Sequence, residues 1–102
     1  MNPPLMVVPT LNQPLIEKID VANKFGLHLR AAAKLAQLAN QFECTIHIRV
    51  GDRTANAKSV LNLIALAVHE KKVLEILVEG PGAQKAMDAV RGLVRDKFGE
   101  RE

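Results

Sequence analysis

Along this chain the spacing of apolar residues switches back and forth between every second position and every third or fourth. The clearest two-residue alternation runs from Cys44 to Val50. Cys44, Ile46, Ile48 and Val50 face one way, while Thr45, His47 and Arg49 face the other, as in a strand with one buried face. Gly51-Asp52 then predicts a turn, and Arg53 to Lys58 a more polar return strand of edge type. Leu74, Ile76 and Val78 alternate with Glu75 and Glu79 and predict a fourth strand. Leu15 to Ala22 reads as the first, with Leu15, Ile19 and Val21 on one face, Lys18 and Asp20 on the other, and Glu17 interrupting the alternation.

Helical spacing fills the gaps. Leu29, Ala32, Leu35, Ala36, Leu38, Ala39 and Phe42 form a stripe after the first strand, and Ala31-Ala32-Ala33 adds strong helix propensity. Ser59 is a good N-cap for Val60 to Val68. That run is apolar nearly all round, more than a one-faced surface helix needs, so part of it is expected to be exposed for contact. Gly80-Pro81-Gly82 ends the fourth strand, and Ala83, Ala86, Met87, Val90, Leu93, Val94 and Phe98 form a last stripe closed by Gly99. The order is βαββαβα, an α+β domain with helices on one face of a mainly antiparallel sheet.

Composition narrows the function classes. The chain has 102 residues, enough for one small domain with its own core. It has no Trp or Tyr and three Phe, so aliphatic side chains must build that core and no set of rings is present for stacking bases. The net charge of +3 is too small to point to nucleic acid. One cysteine, Cys44, cannot form an internal disulfide, which fits a reducing compartment. No apolar run approaches a membrane span or a signal core, so a cytoplasmic location without membrane insertion is expected. Four prolines, Pro3, Pro4, Pro9 and Pro14, make residues 1–14 read as a flexible tail before a domain at 15–102. Cys44 and His47 have a metal-like spacing, but an odd offset on a strand sends them to opposite faces, and no metal site is expected.

The chemistry concentrates where the first strand gives way to the first helix. His28 falls at that corner, with Gly26 to let the loop turn and Arg30 two residues on. A helix start offers backbone N–H groups without intrahelical partners and the positive end of the peptide dipoles. Imidazole is a nucleophile largely neutral near pH 7, and a guanidinium fork suits phosphate oxygens. The combination suits a histidine that carries a phosphoryl group.

Gly26-Leu27-His28-Leu29-Arg30, with Asn23-Lys24 before it and Ala33-Lys34-Leu35 after it, resembles the phosphoacceptor loop of the histidine-containing phosphocarrier (HPr) family. The resemblance continues through Phe42, Lys58-Ser59-Val60 and Glu79-Gly80-Pro81, spanning roughly residues 15 to 99. Asn23-Lys24 and Glu79-Gly80-Pro81 lean toward its nitrogen-regulatory branch. The family usually has alanine and proline where this chain has Leu29 and Ala31, changes that bear on transfer rate and partner choice.

The resemblance implies an open-faced two-layer sandwich with strand order 1-4-2-3 and three helices on one face. It implies phosphorylation of His28 at Nδ1 by phospho-Enzyme I, with Arg30 holding the phosphate, and onward transfer to an Enzyme IIA-type protein. It implies a docking surface of Leu29, Ala33, Lys34 and Gln37 with Val60, Leu61 and Ile64. Ser59 matches the family's regulatory serine, the target of a serine kinase in some lineages, although N-capping alone already accounts for a serine there. No cofactor is implied, and a monomer is expected. The competing reading is a regulatory module of the same fold that docks on partners without passing phosphate.

Overall fold

The computed structural model describes residues 14–66, 68 and 72–101. Its elements follow in the order β1 (Leu15–Asp20), α1 (Leu29–Ala39), β2 (Thr45–Val50), β3 (Arg53–Asn56), α2 (Val60–Ala65), β4 (Val73–Glu79) and α3 (Ala83–Arg95). A short turn over Lys97–Gly99 follows α3. The four strands form one antiparallel sheet in the order β1-β4-β2-β3, and the three helices cover one face of it. The predicted α+β topology is the one observed.

The sheet's register shows why these residues became strands. β4 lies between β1 and β2, with Ile19 opposite Leu74 and Ile48 opposite Ile76. Ile46, Ile48, Leu74, Ile76 and Val78 are fully shielded on the helix side. Against them pack Ala31, Ala32, Leu35, Ala36 and Ala39 of α1, Leu63 of α2, and Ala86, Met87, Val90 and Val94 of α3. With alanines lining one face of α1, that helix can approach its neighbours closely, which offsets the scarcity of large side chains. On the open face Arg49 donates to Glu75 across the β2–β4 pair at 2.6 Å.

Some details differ from the sequence reading. Glu17 does not break the alternation of β1: it shares the inner side with Leu15 and Ile19, where Arg91 of α3 donates to its two carboxylate oxygens at 2.9 and 2.7 Å. Leu29 does not join the core stripe of α1 but stands exposed, and α1 ends at Ala39, short of Phe42. α2 stops at Ala65 rather than Val68, and Arg53 donates to the Leu66 carbonyl just beyond its end at 2.6 Å. The tail at residues 1–13 and His69 lie outside the described residues.

Candidate phosphoacceptor site

Short local bonds build the corner after β1. The Val21 amide donates to the Lys72 carbonyl at 2.9 Å and that of Leu27 to Val68 at 3.1 Å, so both ends of the loop are tied to the approach to β4. Between them Asn23, a polar residue with no exposed surface, donates through Nδ2 to the Gly26 carbonyl at 2.7 Å. The Gly26 amide returns a bond to the Asn23 carbonyl at 3.2 Å, and its φ of 60° is one that side chains bearing a Cβ rarely adopt. The loop is thereby closed, and the chain enters α1 in a fixed direction.

His28 is the N-cap of α1, with extended backbone (φ −77°, ψ −177°). Its carbonyl accepts the first intrahelical bond, from the Ala32 amide at 2.8 Å. Its side chain caps the helix from the other direction: Nδ1 accepts from the Arg30 amide at 3.2 Å. The opposite ring nitrogen, Nε2, meets a carboxylate oxygen of Glu100. An imidazole that accepts at Nδ1 and donates at Nε2 is the neutral tautomer with its lone pair at the helix start. Phe25 packs its ring edgewise to the imidazole, with centroids 6.0 Å apart and planes at 87°.

An open cavity of about 430 Å³ lies over this ring, lined by Phe25, His28, Arg30, Lys34, Gly99, Glu100 and Arg101. Three of its side chains are cationic, and one of these, Lys34, is committed to the Phe98 carbonyl at 2.7 Å. Partial burial tends to raise the Glu100 carboxyl, yet bonds from Asn23 and His28 and the more remote charge of Arg30 together hold it below the usual range. Asn23 Nδ2 reaches Glu100 Oε1 at 2.8 Å. Among the described residues, no group of three or more His, Cys, Asp and Glu side chains is placed to hold a metal ion.

The other singled-out residues lie on α1 and α2. Leu29 is 65% exposed, and Ala33, Lys34 and Gln37 stand outward on α1. α2 packs beside α1, presenting Leu61 at 79% exposure and Ile64 at 38%, with Val60 half-buried. Asn40 at the end of α1 ties the helices, donating to the Ala36 carbonyl at 2.8 Å and the Lys58 carbonyl at 3.1 Å. Ser59 caps α2 by accepting from the Asn62 amide at 3.2 Å. Sequence reasoning missed Phe25, the structural role of Asn23 and above all Glu100, which is 72 positions from the histidine it touches.

Comparison with known proteins points to one family. Residues 16–96 match the family model described as the phosphorylation site of the HPr component of the phosphotransferase system. The chain is 43% identical over 86 residues to phosphocarrier protein NPr of Shewanella violacea, covering 84% of this chain and 94% of that protein. It is 39% identical over 82 residues to phosphocarrier protein HPr of Cupriavidus necator, covering 80% and 92%. Among solved structures, HPr-C-His from Thermoanaerobacter tengcongensis superposes with a TM-score of 0.83 at 33% identity, covering 86% of this chain and 99% of that one.

Proposed function

This chain belongs to the HPr family of the phosphotransferase system, and from that membership we propose that His28 is the residue on which it carries the phosphoryl group. A phosphocarrier of the HPr type shuttles that group between components of the system. The observation that carries the assignment is the orientation of the ring: Nδ1 sits at the start of α1 with its lone pair, and Nε2 is occupied by Glu100.

The chemistry follows from that orientation. Nδ1 attacks the phosphorus of a phosphorylated donor, the Nδ1–P bond forms, and the donor's bond to phosphorus breaks with its electron pair. Nδ1 can then no longer accept from the Arg30 amide, so that N–H turns to a phosphoryl oxygen beside the other unpaired amides of the first turn. The Arg30 side chain, which lines the same cavity, adds a fixed positive charge and fork geometry. The helix end contributes only about 0.3–1 kcal/mol, up to ~2 if partly buried. Such weak holding suits a group that must leave again.

We assign the donor to Enzyme I and the acceptor to an Enzyme IIA-type protein, both seated on Leu29, Ala33, Lys34, Gln37, Val60, Leu61 and Ile64. A working domain at 15–102 holds every group this scheme uses. Ser59, at the N-terminus of α2 and next to Val60, is where an added phosphate would place charge on that surface. Incubation with phosphoenolpyruvate and Enzyme I tests the scheme. One acid-labile, base-stable phosphate is expected on the wild type, none on His28→Ala, and slower uptake on Arg30→Ala. Equal uptake by His28→Ala would remove His28 from its role, and no uptake by the wild type would favour a docking module.

A further inference from the structure

We infer that Glu100 is a positioning residue for phosphoryl transfer, its carboxylate holding the proton on Nε2 of His28 in the empty and the loaded protein alike. The inference rests on His28 being the carrier. What points to it is the effort the fold spends on bringing this side chain back. After α3 the chain does not run off into solvent: Lys97 and Phe98 each have a φ of 56° and Gly99 one of 80°, three left-handed residues in a row. A left-handed residue with a Cβ costs about 1–2 kcal/mol. Burial of the Phe98 ring, with no exposed surface, and the Lys34 bond to its carbonyl at 2.7 Å hold the turn against that cost. A Cβ at Gly99 would come within 3.0 Å of that same Lys34 nitrogen. The turn delivers Glu100 to two partners at once: Asn23 Nδ2, which fixes one oxygen, and His28 Nε2, which meets the other.

The chemical consequence concerns the leaving step as much as the attack. A neutral imidazole has one proton, and a carboxylate accepting it at Nε2 leaves the lone pair on Nδ1. When the Nδ1–P bond forms, the ring acquires positive charge and its Nε2 proton becomes more acidic. A fixed carboxylate stabilises that charge and keeps the proton in place, as a buried carboxylate does for imidazolium in hydrolytic triads. In onward transfer the Nδ1–P bond breaks with its electron pair going to Nδ1, and the ring departs as neutral imidazole. No proton has to move in either half of the cycle. If the loaded ring lost its Nε2 proton, the leaving group would be imidazolate, which is far poorer.

Stopped phosphoryl-transfer kinetics on the full chain, together with nitrogen NMR of ¹⁵N-histidine-labelled protein, tests the role. Glu100→Gln keeps size and an accepting oxygen but loses the charge; Glu100→Ala loses both. Because one charge-assisted contact is removed, Glu100→Ala is expected to lower the rate of onward transfer about tenfold or more, with Glu100→Gln between it and wild type. KM for the donor stays unchanged. The Nε2-bound proton, visible in the loaded and unloaded wild type, is expected to exchange away in Glu100→Ala. Wild-type transfer rates in both variants, or an Nε2 proton signal unaltered in both, would overturn the inference. So would a rate loss in Glu100→Ala fully accounted for by unfolding, with Glu100→Gln folded and as fast as wild type. Uptake absent from the wild type, or persisting in His28→Ala, is instead the failure of the carrier reading.

Discussion

At the scale of single residues, the site depends on a side chain that does no chemistry. Asn23 is fully buried, and its Nδ2 bridges the Gly26 carbonyl and Glu100 Oε1 while its Oδ1 has no hydrogen-bond partner among the described residues. The amide therefore joins the loop before α1 to the chain after α3, the two segments that meet at His28. Removing it leaves a buried carbonyl without its donor and a carboxylate with one support fewer. Asn23→Ala is expected to cost about 1–3 kcal/mol in denaturant unfolding, the range for a buried polar group losing its partner. Asn23→Asp is expected to cost at least as much, because it sets a second carboxylate against Glu100.

Elements divide into those that hold the core and those that offer a surface, and leucines on neighbouring helices show the contrast. Leu35 of α1 is fully buried, whereas Leu61 of α2 is 79% exposed. Leu35→Ala is expected to destabilise by about 2–5 kcal/mol through the cavity it leaves. Leu61→Ala should leave unfolding within about 0.5 kcal/mol of wild type while raising KM for the phosphoryl donor, since an exposed apolar side chain has only a partner to pack on. A Leu61→Ala protein with unchanged KM would take α2 out of the docking surface.

The same division explains what could be read beforehand. β2, β4 and α3 were legible because one face of each is buried and local periodicity records it; the fully shielded Ile46, Ile48, Ile76 and Val90 all lie on the expected sides. The corner that holds His28 and Arg30 at the start of α1 was legible because the glycine and the two side chains sit within five consecutive residues. Glu17 was misread because its inward position is made acceptable by Arg91, 74 residues away, and nothing local announces that pairing. Glu100 was missed for the same reason, compounded by a left-handed turn through Lys97 and Phe98, residue types that carry no signal for positive φ.

At the scale of the whole molecule, acid should loosen this fold in a way its charge pairs specify. Among the described residues, three carboxylates are held below their ordinary range. Glu75 is lowered chiefly by its bond from Arg49, and Asp88 by bonds from Gln84 and Arg91. At Glu100, burial pushes upward but the bonds from Asn23 and His28 outweigh it. A carboxyl that titrates lower in the folded chain than in the unfolded one is charged in both states at neutral pH, where its contribution is complete. As pH falls through the ordinary carboxylate range, the unfolded chain takes up the proton first, and stability drains until the folded group is protonated too. Glu75 and Asp88 lie on the surface, where solvent and salt screen their pairs, so their shares are small. Glu100 is the most enclosed of the three, with its side chain 10% exposed against 23% for Glu75 and 52% for Asp88. Urea midpoints are therefore expected to hold steady from pH 7 to about 5 and to fall toward pH 3, given ordinary carboxylate values near 4. The fall should be shallower in Glu100→Gln than in Glu75→Gln or Asp88→Asn. An equal slope in Glu100→Gln and wild type would mean that the carboxylate facing His28 contributes nothing to holding the segment after α3 against the loop before α1.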